Sequence, residues 1–195
     1  MTAVVVRPAT AQDVSAIARI HVAGYEEAYR GLVPDAVIDS RPVSLRERVW
    51  TQRLSEDRPR EFVFVAELDG DVRGFVSGRQ AAEGEVEALD PAVGCWENMY
   101  SDPEIVGDAR GFKVALEMHR AVDAAFREHG YREAVAFVIE GNDRAGRFFE
   151  LLGWKRDGGR RETEGLVQHR VRRTFGALQS VGTPMEQQST MEERP

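Results

Sequence analysis

The sequence predicts a domain of the α/β (α+β) class, in which a mixed β-sheet packs against helices. Short runs rich in β-branched and aromatic residues, such as residues 4–6 and 62–66, predict strands. Between them lie segments whose apolar residues recur at helical spacing. The chain has 195 residues, enough for one sizeable core. We expect a single domain over residues 1–176 and a disordered tail over residues 177–195, which are polar and lack apolar spacing.

The composition of the chain excludes several classes of binding partner and cofactor. The net charge of −7 argues against nucleic acid and anionic membranes as partners. The sequence shows no apolar run long enough to span a bilayer and no signal-peptide pattern, so we expect a cytoplasmic protein. Cys95 is the single cysteine, which excludes an intrachain disulfide and predicts a buried apolar role. The four histidines have no metal-ligand spacing, so no metal is expected.

The first elements are a strand and a helix. Residues 4–6 form the strand, and Thr10 can cap the helix that follows. Val14, Ile17 and His21 share one face of that helix, so His21 is expected to be a packed histidine.

A break follows between two helical pieces. Gly31 and Pro34 interrupt the helix, and a second piece is expected over residues 44–54. Tyr25 and Tyr29 share a face before the break. Packing and substrate contact are equally good interpretations of these two tyrosines.

A hairpin and an acidic loop occupy the next part of the chain. Asp69 and Gly70 are typical of a tight turn, so residues 62–78 should form two antiparallel strands. Residues 81–91 are acidic and lack periodicity, which predicts a mobile loop with solvated charges. An acidic rim for a cationic acceptor is the alternative.

The central stretch, residues 98–119, predicts strand, turn and helix. Pro103 ends a strand over residues 96–100, and Gly107, Ala109 and Gly111 keep the turn almost free of side chains. The first N–H groups of a helix lack intrahelical acceptors and lie at the positive end of its dipole. Such a turn can therefore bind an anion, although an ordinary strand-to-helix turn would look the same.

The last elements are a strand over residues 134–139, a short helix capped by Asn142 and ended by Gly153, and a final strand over residues 166–171.

Two of these motifs resemble the GNAT acyl-CoA N-acyltransferases. Residues 106–111 resemble the family's Gln/Arg-x-x-Gly-x-Gly/Ala loop, with Val106 in place of Gln or Arg and Ala109 in place of the first Gly. The block from residue 142 to residue 154 resembles the family's Asn-x-x-Ala-x-x-Phe-Tyr-Glu-x-x-Gly-Phe pattern. It matches at Asn142, Ala145, Phe148, Glu150 and Gly153, with Trp154 in place of Phe.

The resemblance implies a fold and a function. The fold would be a splayed sheet of about six to seven strands flanked by about four helices. Acetyl-CoA would lie in the splay as cosubstrate and acylate a primary amine of a small molecule, or a protein or peptide amine. The protein would be a monomer or a homodimer. The alternative is a catalytically impaired GNAT-fold protein that binds an acyl-CoA or another ligand as a sensor or partner protein.

The resemblance also implies site residues. Glu97 is the candidate base, although it is equally compatible with a solvent-facing strand position. Phe149 occupies the family's usual Tyr acid position and has no proton to give, so Tyr100 or water is the candidate acid. Asp108 is expected to repel pyrophosphate, whereas Tyr25 and Tyr29 are candidate substrate contacts. The implied cofactor contacts are Met99, Tyr100, Ser101, Gly107, Asp108, Ala109, Arg110, Gly111, Phe112, Asn142, Ala145 and Phe149.

Overall fold

The structure is a computed structural model that describes residues 3–163 and 165–175. In these residues seven β-strands form one sheet, and five α-helices accompany it. The strands are β1 (Val4–Pro8), β2 (Phe62–Leu68), β3 (Asp71–Gln80), β4 (Val93–Ser101), β5 (Glu133–Ile139), β6 (Lys155–Thr163) and β7 (Leu166–Thr174). The helices are α1 (Val14–Tyr29), α2 (Asp35–Asp39), α3 (Val43–Ser55), α4 (Ala109–Glu128) and α5 (Asp143–Leu151). The predicted tail, residues 177–195, lies outside the described residues.

The sheet is mixed and splayed at its centre. Its strand order is β1-β2-β3-β4-β5-β7-β6, and β4 and β5 are parallel neighbours. These two strands pair only over residues 93–96 and 133–136, and then they separate. The splayed α/β sheet that the resemblance implied is therefore confirmed.

Apolar packing covers both faces of the sheet. Val114, Met118 and Phe126 of α4 are fully buried against one face. On the other face, Ile17 of α1 and Trp50 of α3 pack around the β3 residue Phe75. Fully burying one such side chain contributes about 1.5–3 kcal/mol, so these two layers fix where α1 and α4 lie beside the splay.

Two predictions about buried groups are confirmed. His21 of α1 is packed against α3 and the sheet, and Trp50 Nε1 donates to His21 Nδ1 at 3.1 Å. Burial lowers the pKa of His21 to about 3, so the ring is neutral. Cys95 is buried, and burial raises the pKa of its thiol.

The expectation that the charges of the loop over residues 81–91 are solvated holds for Glu83 and Glu87, which are exposed, but is wrong for Glu85. Glu85 is only 7% exposed, because the loop packs over Cys95 and Val135. Its carboxylate accepts hydrogen bonds from Arg79 at 2.8 Å and from Arg161 at 3.0 Å. These ion pairs fasten the loop to β3 and β6.

Two elements were missing from the prediction. β6 has no apolar alternation, because it is an edge strand whose charged side chains serve as ion-pair partners. Its Asp157, for example, accepts from Arg170 at 2.8 Å and from Arg172 at 2.7 Å. The second missing element is the helix α2, a single short turn after Pro34.

Candidate active site

The separation of β4 and β5 opens a cleft of about 360 Å³. One side, called here the α4 wall, consists of lining residues between 106 and 115. The opposite side, the α1–α5 wall, consists of lining residues between 24 and 29 at the end of α1 and between 142 and 149 in α5. Strands β4 and β5 form the floor.

Most of the predicted site residues meet in this cleft. Those that line it are Tyr29, Glu97, Met99, Tyr100, Ser101, Gly107, Asp108, Gly111, Phe112, Asn142, Ala145 and Phe149. Ala109 and Arg110 lie beside it, exposed on the first turn of α4. Tyr25 instead packs edge-on against Tyr29, with 4.6 Å between ring centroids, and under the guanidinium of Arg41.

The α4 wall begins with a self-capped helix. The Asp108 carboxylate accepts from the backbone N–H groups of Arg110 at 2.8 Å and Gly111 at 2.9 Å. The Gly111 N–H, together with the Arg110 side chain, lowers the pKa of Asp108. The expectation that Asp108 repels pyrophosphate stays a prediction. The structure adds that its carboxylate is the N-cap and already satisfies two donors that the resemblance assigned to pyrophosphate.

Gly111 is fixed by packing of the backbone. A Cβ at this position would lie 2.0 Å from the carbonyl oxygen of Ile105. Only glycine lets the first turn of α4 lie this close to the chain that enters it. Gly107 has φ +90°, a left-handed conformation that side chains disfavour.

The α1–α5 wall contains Phe149. Its ring is 9% exposed and packs edge-on against Trp96 and Trp154, with centroid distances of 5.1 Å and 5.2 Å. The position where the resemblance expects a tyrosine hydroxyl is therefore part of an aromatic cluster at the edge of the cleft. Beside it, Asn142 Oδ1 accepts from the Ala145 N–H at 3.0 Å and caps α5.

Glu97 lies in a β-bulge on the floor. Ser77 pairs with Asn98 and Gly78 pairs with Trp96, so Glu97 is the extra residue of β4. Its Oε1 accepts from Arg79 Nε at 2.5 Å, and its Oε2 accepts from Arg53. The sequence left open whether Glu97 faces the cleft or solvent. The structure places it at the cleft, with both oxygens engaged by guanidinium groups.

The acetyltransferase (GNAT) family model matches residues 25–154, which include every residue that lines the cleft except Gly24. The chain belongs to the GNAT family. Its fold is similar to PaiA N-acetyltransferase from Thermoplasma acidophilum in complex with coenzyme A, with TM-score 0.67, 15% identity, and coverage of 89% of this chain and 99% of that chain. It is also similar to ribosomal-protein-alanine N-acetyltransferase from Brucella melitensis, with TM-score 0.63, 19% identity, and coverage of 88% and 99%.

A third similar structure is the aminoglycoside acetyltransferase AAC(6′)-Ib in complex with coenzyme A, with TM-score 0.64, 17% identity, and coverage of 88% of this chain and 95% of that chain. At these identities the three likenesses concern the GNAT fold alone. Comparison with the curated proteins gave no match. Among the described residues, no helix combines the length and apolarity needed to cross a membrane, and no acidic, histidine and cysteine side chains cluster as a metal site.

Within this GNAT cleft, the side chains of two tyrosines lie next to each other. The Tyr29 hydroxyl lies beside the Tyr100 hydroxyl and the Asn142 side chain, and both neighbours act on its pKa. The Tyr100 ring stacks on His21, with 5.0 Å between centroids. Burial raises the pKa of both tyrosines, so both hydroxyls keep their protons at neutral pH. A protonated phenol in the cleft can act as a general acid.

Sequence reasoning missed the residues that join the two helices of the α1–α5 wall. Glu27 of α1 and Arg144 of α5 both line the cleft and form a two-pronged ion pair, at 2.6 Å and 2.5 Å. Gly24 lets α1 approach β4, since a Cβ there would lie 2.9 Å from the Tyr100 ring. Residues 27 and 144 are 117 positions apart, so no local pattern could have paired them.

Proposed function

We propose that this GNAT protein is an N-acetyltransferase. It moves an acetyl group from acetyl-CoA to a primary amine of a small molecule, or to a protein or peptide amine, by direct attack in a ternary complex. The observation that supports this best is the cleft between β4 and β5, which holds the Asn142 cap of α5 on one side and the first turn of α4 on the other.

The cleft suits the extended arm of the cosubstrate. Beyond Trp96, the edge of β4 faces the cleft instead of β5, so the backbone at Met99 and Ser101 can pair with an extended polar chain. Because Asp108 occupies the N–H groups of Arg110 and Gly111, we assign the pyrophosphate to the N–H groups of Gly107 and Ala109.

Side chains of the cleft have separate roles in the acetyl transfer. Acetyl-CoA would supply a thioester whose leaving thiol has a pKa of about 8–9 and so needs little help to depart. Tyr100, protonated and supported by Tyr29, donates a proton to the departing sulfur. Phe149 keeps water from that region. Both oxygens of Glu97 are bound by arginines, so proton removal from the amine is assigned to solvent. Most of the rate gain would come from holding amine and thioester together.

A thiol-release assay with acetyl-CoA and a panel of amines tests the proposal. The wild type should release CoA with at least one amine. Tyr100→Phe should lower kcat by roughly 10–100-fold with little change in the KM for acetyl-CoA. Tyr25→Phe is the matched control, because Tyr25 lies outside the cleft lining. Equal rates for the wild type and Tyr100→Phe would remove Tyr100 from the mechanism.

Three observations favour a second candidate, a GNAT-fold protein that binds an acyl-CoA or another ligand without turnover. Asp108 caps the loop donors, Phe149 has no proton to give, and Glu97 is held by two arginines. Calorimetric binding of CoA without thiol release from any amine in the panel would support this candidate and refute the first.

A further inference from the structure

The end of α1 touches the start of α5 in three places across the mouth of the cleft. Besides the Glu27–Arg144 ion pair, the Tyr29 side chain lies beside that of Asn142. The Leu32 side chain lies over Gly141, where a Cβ would be 3.0 Å from its Cδ2. We call these three contacts the α1–α5 bridge. They join two segments that are far apart in the sequence but lie side by side in one wall of the cleft.

Each charge of the ion pair lies at the helix end where the helix dipole disfavours it. Glu27 lies in the last turn of α1, at the negative end of its dipole, and Arg144 lies in the first turn of α5, at the positive end. Each charge is therefore disfavoured locally and is stabilised by the other. A local conflict that is resolved only across a functional cleft points to a role in that cleft.

Arg144 also stands out among the residues that surround the cleft. Of the lining residues in the described part of the chain, it is the only lysine or arginine, whereas Glu27, Glu97 and Asp108 supply three carboxylates. The Arg144 side chain is 54% exposed and that of Glu27 is 33% exposed. A pair this exposed contributes little net stability, so a stronger anion can displace Glu27 at small cost.

We propose that Arg144 is a cofactor-binding residue that exchanges partners, leaving Glu27 for a phosphate group of acyl-CoA and so opening the α1–α5 bridge. The inference rests on the proposed function. A guanidinium binds carboxylate and phosphate with the same two-pronged geometry, so the fork now held by Glu27 is already shaped for phosphate. Glu27 therefore competes with the cofactor for Arg144. Cofactor binding breaks the Glu27–Arg144 ion pair and so weakens the contact between α1 and α5 in the α1–α5 wall.

Titration calorimetry with CoA on the full chain tests the exchange. Arg144→Gln should weaken CoA binding by about tenfold, since a charge-assisted bond to phosphate is lost. Glu27→Gln should tighten binding by about threefold, since the competing carboxylate is gone. In the Arg144→Gln background, Glu27→Gln should have no further effect, because the two changes act through one pair.

Two controls sharpen the experiment. Arg147→Gln removes the same charge one turn further along α5, outside the cleft lining, and should leave CoA affinity within about twofold. Arg144→Lys keeps the cation and should retain most of the affinity, which separates loss of charge from damage to the fold. Dephospho-CoA, which lacks the 3′-phosphate, shows which phosphate Arg144 binds. If Arg144→Gln still weakens binding of dephospho-CoA, Arg144 binds the pyrophosphate. If the effect disappears, Arg144 binds the 3′-phosphate.

The outcomes that overturn the inference are distinct from failure of the proposed function. If the wild type binds CoA and Glu27→Gln weakens that binding or leaves it unchanged, the exchange is wrong and the function stands. The same holds if Arg144→Gln affects CoA binding no more than Arg147→Gln does. If the wild type does not bind CoA at all, the proposed function fails, and the exchange fails with it.

Discussion

The α4 wall of the cleft takes its geometry from residues close together in the sequence, whereas the α1–α5 wall depends on a pair 117 positions apart. In the α4 wall, Asp108 caps the helix three residues before Gly111, and Gly111 packs on Ile105. The α1–α5 wall is held by Glu27 with Arg144 and by Tyr29 with Asn142. The first wall is therefore a rigid local turn. The second is a tertiary contact that a ligand can rearrange.

Acidification should weaken the packing of α1 on the floor of the cleft, because His21 of α1 stacks on Tyr100 of β4. The pKa of His21 is lowered to about 3 and that of His119 to about 4, from 6.5. As pH falls below about 6.5, these histidines become protonated in the unfolded chain but stay neutral in the folded protein. The free energy of unfolding therefore decreases from pH 6.5 down to the folded pKa values. Urea unfolding at pH 7.5 and pH 5 should differ by several kcal/mol.

His129→Gln is the control for acidification, since His129 is exposed. It should keep the full pH dependence, whereas His119→Gln should reduce it. A stability that is flat between pH 7.5 and pH 5 would contradict the burial of both rings as neutral groups.

Substitution of one glycine in each helix compares the two walls directly. Gly111→Ala places a methyl against the Ile105 carbonyl and should cost about 2–4 kcal/mol of folding free energy. Gly146→Ala in α5 meets no atom within 4 Å and should stabilise by about 0.5–1 kcal/mol. Thermal melts of both variants check this. Equal effects would mean that the α4 turn yields as easily as the exposed face of α5.

Restoring a hydroxyl to the aromatic cluster of the α1–α5 wall should have a smaller effect. If Phe149→Tyr aims its hydroxyl at the cleft, kcat should rise by at most about tenfold, because a thiolate already leaves well. The KM for acetyl-CoA should barely change. A steep fall in kcat together with a lower melting temperature would instead show that the hydroxyl is buried without a partner between Trp96 and Trp154.

Changing the cap of the α4 wall should have the smallest effect. Asparagine caps helices as well as aspartate does, so Asp108→Asn should keep the turn and remove its negative charge. CoA binding, followed by calorimetry, should tighten by about threefold, and the gain should shrink with added salt. Weaker binding at unchanged stability would mean that the carboxylate itself, and not merely the cap, organises the loop.

Local patterns predicted much of the fold and part of the site. The turn at Asp69 and Gly70 appears as expected, with φ values of 56° and 90°. Asn142 caps α5 as predicted. An N-cap depends only on its own helix, because the amide oxygen accepts from a backbone N–H three residues later. Asp108 also caps α4, and the sequence holds the signal, because an aspartate directly before a helix is a common N-cap.

The sequence by itself predicted most of the strands and helices in their order, and the Asn142 cap of α5, because these depend on neighbours within one turn of the chain. Only the tertiary structure decided that Glu97 lies in a bulge between Arg53 and Arg79, that charged β6 is a strand, and that Glu27 meets Arg144. A charged side chain carries no periodic signal of its own. Its partner is set by which segments the apolar core brings together, and that core forms from contacts distant in the sequence.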